Sequence, residues 1–217
     1  MIFIANWKQN KNISEVKNWI DSFGHKFKAT SNIEVVIAPS SPYLHMLSRL
    51  SDELGVSIAA QDVSMFENGP QTGLVGASQI KDFCKYVILG HSESRARGES
   101  NSDVLAKIDL SLKAGLIPIV CFKNLAEFSS AKSHASSSTF LYAYEPLESI
   151  GTGNPASMES IINIQKQTGL SSFIYGGSVS SKNIEEYTNS PILIGFLIGT
   201  SALDPIEFSS IISKCSN

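Results

Sequence analysis

The sequence predicts a single α/β domain folded as a (β/α)8 barrel, and three observations predict it. Short apolar runs alternate with amphipathic segments along the whole chain. The runs are nearly continuous in Val, Ile, Leu, Phe and Ala, as strands buried on both faces are. Eight such runs are spread over 217 residues. Strand–helix alternation implies parallel pairing through right-handed crossovers. Eight evenly spaced units favour closure into a barrel, although the pattern alone leaves an open doubly wound sheet as an alternative.

The elements follow in order. Residues 2–6 read as the first strand, and 14–27 as a helix with Ser14 as its N-cap. A strand over 34–38 precedes a helical pattern over 42–54, with Pro42 in its first turn. Strands at 56–60 and 86–90 follow, then a helix over 102–114 and a strand over 117–122. The weakest unit comes next. Residues 123–128 read as a short helix and 129–139 as a Ser-rich stretch with little periodicity. A shortened fifth helix and a loop are therefore expected. The last units are strands at 140–145, 173–177 and 192–199, with helices over 155–168 and 205–214 that open on Pro155 and Pro205. No linker divides the chain, so residues 1–217 are expected to form one domain, a short one for this architecture.

Composition narrows the function classes. Hydrophobic residues make up 42% and charged ones 17%, and 17 basic residues against 20 acidic ones leave a net charge of -3. This is a globular composition without a basic stripe, so neither nucleic acid nor an anionic membrane is indicated as a partner. No apolar stretch approaches the roughly 18 residues that span a bilayer. The opening run, Ile2-Phe3-Ile4-Ala5, is too short for a signal peptide. Cys84, Cys121 and Cys215 are few and far apart, which reads as small buried hydrophobes kept reduced in a cytoplasmic protein.

In a parallel barrel the active site lies where the C-terminal ends of the strands converge. The first strand ends in Asn6-Trp7-Lys8, the fourth in Gly90-His91-Ser92-Glu93 and the sixth in Tyr144-Glu145-Pro146. The seventh and eighth end in Gly176-Gly177-Ser178 and Gly199-Thr200-Ser201. Taken alone, Lys8 reads as a solvated lysine and His91 as a hydrogen-bonded structural residue. His25, His45 and His134 fall in helix or loop patterns and keep that structural reading. Glu145 stands apart, because it ends a strongly apolar strand and precedes a proline. Dehydration there disfavours its charged form, which suits a general base. The glycine-bearing ends of the last two strands are where barrels often build phosphate sites from backbone N–H groups. Gly151-Thr152-Gly153, between the sixth strand and the next helix, reads either as the hinge of a closing loop or as an ordinary connection.

Together these segments resemble the triosephosphate isomerase family, in the right order from end to end. Asn6-Trp7-Lys8 is similar to the family's Asn-x-Lys, and Val87 to Glu93 to its electrophile segment. Ala143-Tyr144-Glu145-Pro146 with Ile150-Gly151-Thr152-Gly153 resembles its base and lid. Tyr175-Gly176-Gly177-Ser178-Val179 and Gly195-Phe196-Leu197-Ile198-Gly199 resemble its two phosphate-gripping turns. The resemblance implies a TIM barrel that interconverts dihydroxyacetone phosphate and D-glyceraldehyde 3-phosphate without metal or organic cofactor. It implies Glu145 as base, neutral His91 as electrophile, Lys8 with Asn6 as stabilisers of negative charge, and Glu93 as a charge partner near Lys8. Phosphate would be held by the amides of Gly151, Ser178, Gly199 and Thr200. It further implies a homodimer in which the loop Gly69-Pro70-Gln71-Thr72-Gly73 reaches the partner, with Thr72 steadying Lys8.

The chain also departs from the family pattern. Leu147 and Glu148 replace an apolar residue and a tryptophan after Pro146, Asn154 replaces a lysine, and Thr200 replaces the second glycine of a pair. Leu74 replaces a glutamate and Ser94 an arginine, and the segment from Arg95 to Glu99 is one residue short. None of these removes a reacting group. Two rival readings stay open at this point, another phosphate-binding barrel enzyme and a barrel that binds without turnover.

Overall fold

The computed structural model describes residues 1–27, 31–134, 140–149 and 154–215. Among them eight parallel strands close into a barrel in sequence order, which removes the open-sheet alternative. The strands are β1 (Ile2–Asn6), β2 (Glu34–Ala38), β3 (Ser57–Ala60), β4 (Tyr86–Leu89), β5 (Ile117–Phe122), β6 (Leu141–Tyr144), β7 (Phe173–Tyr175) and β8 (Leu193–Ile198). The helices between them are α1 (Ile13–Lys26), α2 (Leu44–Ser48), α3 (Ser51–Leu54), α4 (Ala77–Ile80), α5 (Ser92–Ala96), α6 (Asn101–Ala114), α7 (Leu125–His134), α8 (Met158–Thr168) and α9 (Pro205–Ser213).

Period-two alternation along each strand splits its side chains between two cores. Ile4, Val36, Ile88, Ile119, Cys121, Ala143, Ile174 and Leu197 fill the barrel interior. Phe3, Ala5, Val35, Ile37, Val87, Val120 and Phe196 point outward and meet the apolar faces of the helices. Both faces are therefore buried, which is why the strands read as unbroken apolar runs. Trp19 of α1 stacks on Phe23 with ring centroids 4.8 Å apart and meets Trp7 edge-on at 4.9 Å. Side chains of this kind each contribute roughly 1.5–3 kcal/mol on burial. The seam where β8 meets β1 is closed by Gly195, whose backbone lies so near Ile2 that an added Cβ would fall 2.1 Å from the Ile2 carbonyl oxygen.

The N-terminal rim holds one polar network. The Glu34 carboxylate accepts hydrogen bonds from Ser57 Oγ at 2.9 Å, Lys85 Nζ at 2.8 Å and Tyr86 Oη at 2.9 Å. All four residues lie at the beginnings of β2, β3 and β4, so the network ties three strand starts together.

Several boundaries differ from the sequence reading. Asn12, not Ser14, caps α1; its Oδ1 accepts from the backbone of Ser14 and Glu15, and the Glu15 side chain returns the bond to Asn12 N at 2.7 Å. The 42–54 pattern breaks into a 3-10 turn, Ser41–Tyr43, followed by α2 and α3. There the Ser48 and Ser51 hydroxyls bond back to the carbonyls three residues earlier and compete with a continuous helix. Pro155 does not open α8. Ser157 caps it instead, because both peptide groups of Ala156 are engaged elsewhere, its N–H with Tyr175 Oη and its carbonyl with Tyr187 Oη.

The Ser-rich stretch carries the largest difference. Helix α7 runs through Ser129 and Ser130 to His134, with Phe128 and Ala131 buried beneath it. Serines sit on its outer face, where they mask the periodicity. The remainder of that stretch, 135–139, and the loop residues 150–153 lie outside the described residues. The three cysteines are free, and burial pushes the Cys84 thiol up to about 12 and the Cys215 thiol up to about 11.

Candidate active site

A cavity of about 360 Å³ opens at the C-terminal ends of the strands. Asn6, Lys8, His91, Glu145, Ser178, Gly199 and Thr200 all line it, together with Gly176 and Gly177. Glu93 stands behind Lys8. Gly151 lies outside the described residues.

Lys8 follows β1 in a left-handed backbone conformation, φ 53°, that a non-glycine residue adopts only when its surroundings hold it there. The holders are identifiable. Asn6 Oδ1 accepts from Lys8 N at 3.1 Å, while Ser40 Oγ and Gln61 Nε2 each donate to Lys8 O at 2.9 Å. Gln61 also donates to Ala38 O at 2.8 Å. Thus fixed, the lysine side chain passes beside Gly199, where an added Cβ would lie 3.1 Å from Lys8 Cε. Its ammonium reaches Glu93 Oε1 at 2.6 Å. Burial works against the Glu93 charge, but the hydrogen bond and charge of Lys8 outweigh it and hold that carboxyl below its ordinary value.

His91 caps the short helix α5. Its Nδ1 accepts from Glu93 N at 3.2 Å. An acceptor nitrogen carries no proton, so the hydrogen-bond network assigns the neutral ring with its proton on Nε2. Nε2 points into the cavity and lies 2.9 Å from Glu145 Oε1.

Glu145 is only 3% exposed. Its second oxygen, Oε2, accepts from Ser92 N at 2.9 Å, so the carboxylate is held by one side chain and one backbone donor of α5. Glycine at 176 makes room for it, since a Cβ there would lie 3.1 Å from Glu145 Cγ. Cys121, packed in the barrel interior, senses the carboxylate. Burial raises its thiol well above the ordinary value, and the charge of Glu145 adds to that.

The phosphate-binding candidates sit opposite. Ser178 has φ 40° and donates its hydroxyl to Ser149 O, while Asn183 Nδ2 holds Ser178 O at 2.9 Å. Gly199 leads into a 3-10 turn, Thr200–Leu203, whose Ala202 carbonyl accepts from Trp19 Nε1 at 3.0 Å. Thr200 is exposed at the cavity mouth.

One cation, one neutral imidazole donor, one buried carboxylate and two turns rich in backbone N–H groups thus share a small cavity. A family model described as "Triosephosphate isomerase" matches residues 1–215. The chain belongs to the triosephosphate isomerase family. It is similar to the triosephosphate isomerase of Mesomycoplasma hyopneumoniae (strain 232), 35% identical over 238 residues, covering 97% of this chain and 98% of that protein. It is 34% identical over 230 residues to the triosephosphate isomerase of Wolbachia sp. subsp. Brugia malayi (strain TRS), covering 98% and 97%. With that of Aquifex aeolicus (strain VF5) it shares 29% over 243 residues, covering 97% and 98%. The triosephosphate isomerase likeness therefore spans the whole barrel.

Four supporting groups escaped the sequence reading: Gln61, Ser40, the Ser92 N–H and Arg95, whose Nε donates to Gly90 O at 2.9 Å. For Gln61 the only signal is its position one residue beyond β3.

Proposed function

We propose that the chain interconverts dihydroxyacetone phosphate and D-glyceraldehyde 3-phosphate, a step of glycolysis and gluconeogenesis, by proton transfer through an enediolate. The observation that carries this reading is the 2.9 Å approach of Glu145 Oε1 to His91 Nε2 beside Lys8, in one cavity of about 360 Å³. A glutamate base with a neutral histidine electrophile is the known pattern of this family.

Glu145 removes the proton from the carbon beside the carbonyl and returns it to the neighbouring carbon. Charge then develops on the carbonyl oxygen, where the Nε2–H of His91 and the ammonium of Lys8 stabilise it; His91 gives that oxygen the Nε2 proton and recovers one from the neighbouring hydroxyl, which becomes the new carbonyl. Glu145 must first leave Ser92 N and His91 Nε2, and the arriving substrate oxygen takes its place on the imidazole. Glu93 holds Lys8 in place between uses. Asn6 fixes the backbone turn that aims Lys8. The amides of Ser178, Gly199, Thr200 and Gly151 bind the phosphate, whose binding energy helps to organise the site. No metal or organic cofactor takes part.

We further propose a homodimer formed through the loop around Thr72. Support comes from the exposure of Thr72 together with Phe66 at 42% and Leu74 at 48%, large apolar side chains on one segment. Light scattering at micromolar concentration tests it, and a mass equal to one chain overturns it. A cytoplasmic location belongs to the same reading, in keeping with three free thiols. No helix among the described residues is long and apolar enough to cross a membrane.

The deciding experiment is a coupled isomerase assay on the purified chain, with and without a phosphate-bearing enediolate analogue. Turnover that the analogue suppresses is expected. Analogue binding without turnover would favour a barrel that only binds, and absence of both would overturn the assignment.

A further inference from the structure

Helix α5 presents a mechanical problem. It has five residues, far below the length at which a helix holds itself together, yet its N-terminal end holds both groups proposed to react. His91 Nδ1 is fixed by Glu93 N, and Glu145 Oε2 by Ser92 N. Something outside the helix must set its direction.

We infer that Arg95, backed by Glu127, is the positioning residue that sets α5 and thereby the register of His91 against Glu145. Arg95 brackets the histidine on the main chain. Its Nε donates to the carbonyl of Gly90 at 2.9 Å, and its backbone N–H donates to the carbonyl of His91 at 3.0 Å. The same guanidinium donates through Nη1 to Asn101 Oδ1 at 2.7 Å, reaching the first residue of α6. Its Nε lies 3.5 Å from Glu127 Oε2 in the first turn of α7. Both side chains are nearly buried, 8% and 10% exposed. One planar cation therefore joins the end of β4 to two helices.

The sequence is shaped around this joint. Gly90 has φ +68°, and a Cβ there would meet Arg95 Nη2 at 3.0 Å and the Cys121 carbonyl oxygen at 3.2 Å. Glu127 is itself anchored, accepting from Lys123 N at 3.0 Å while its own N–H donates to Asn124 Oδ1 at 3.0 Å. A guanidinium suits this place because it reaches several acceptors in one plane, which an ammonium cannot do. Neither Arg95 nor Glu127 lines the cavity, so both act only through the groups they hold.

The inference rests on His91 being the electrophile, and His91→Gln separates the two ideas. Loss of turnover in that variant upholds the electrophile; retained turnover removes it, and this inference with it. Arg95→Met, Arg95→Lys and Glu127→Gln are then compared with the parent chain by kcat, KM, inhibition by inorganic phosphate, thermal melting and nitrogen NMR of the His91 ring. For Arg95→Met, kcat is expected to fall on the order of 10²-fold, the effect of a misplacement near 1 Å, with phosphate inhibition nearly unchanged. The His91 nitrogens should lose the single Nε2–H tautomer signature. Arg95→Lys should recover part of the rate, and Glu127→Gln should lose less than Arg95→Met. A folded Arg95→Met with parental kcat overturns the inference, as does an unchanged His91 signature. If Arg95→Met does not fold, parental kcat in both of the other variants overturns it.

Discussion

Each rim of the barrel holds a carboxylate supplied with hydrogen-bond donors, and the two are built differently. At the N-terminal rim Glu34 receives Ser57, Lys85 and Tyr86, all side chains on regular strand ends. At the C-terminal rim Glu145 receives a backbone N–H and an imidazole, beside residues at positive φ, Lys8 and Ser178. Glu34 is about one-third exposed and its donors have no other task apparent in the fold, whereas Glu145 is buried at a cavity and its donors can serve a substrate instead. Strained backbone is tolerated at the second rim because surrounding hydrogen bonds over-determine it. The lesson is that a satisfied carboxylate stabilises a fold, while a carboxylate with exchangeable partners can do chemistry.

Shortening Glu145 tests this contrast most severely. Glu145→Asp withdraws the base by one methylene, and kcat is expected to fall by roughly 10²–10⁴-fold while affinity for a phosphate analogue changes little. Equal losses in both would make Glu145 a structural group like Glu34, and the contrast between the rims would fail.

Glu34→Gln should do the reverse, lowering stability without touching kcat. Burial alone would raise the Glu34 carboxyl, but hydrogen bonds from Lys85, Ser57 and Tyr86 outweigh it and hold the group below its ordinary value. The folded form therefore binds its proton less readily than the unfolded chain. The resulting stability is complete above the ordinary glutamate value of about 4.3 and disappears as pH falls through the lower folded value. At neutral pH the loss in Glu34→Gln is expected to be at most about 1 kcal/mol, given partial exposure. Urea unfolding at neutral and acid pH checks it: the gap between parent and variant should close in acid. A matching drop in kcat would show that the rims are coupled.

The smallest effect is expected at Thr200. Its N–H is retained whatever the side chain, so Thr200→Gly should leave phosphate-analogue affinity nearly unchanged or slightly improved, as titration calorimetry can show. A collapse would mean that the hydroxyl itself binds the ligand.

Strands were legible because they obey local rules. Apolar runs gave every strand within one or two residues of its observed ends; position at a strand end set Glu145 apart, while Lys8 and His91 stood out only through the family resemblance, and all three line one cavity. Supports were hidden for a different reason. Arg95 and Glu127 belong to separate helices that meet only after the chain has closed on itself. The Ser92 donor is a backbone group, which no residue type announces. Helix α7 is masked in the sequence because its serines face solvent, leaving Phe128 and Ala131 as its buried apolar residues. Asn12 and Ser14 both suit a cap by residue type, but only Asn12 has a glutamate three residues on, which completes the capping box.

Gly195 closes the ring at a seam without tolerance. A closed sheet has no free edge, and prying β8 from β1 by even a methyl group would create two at once, each a row of unpaired amides and carbonyls open to another chain. The same strand leads directly to Gly199, so a wedge at that seam would disturb the turn that lines the cavity and invite aggregation in one stroke.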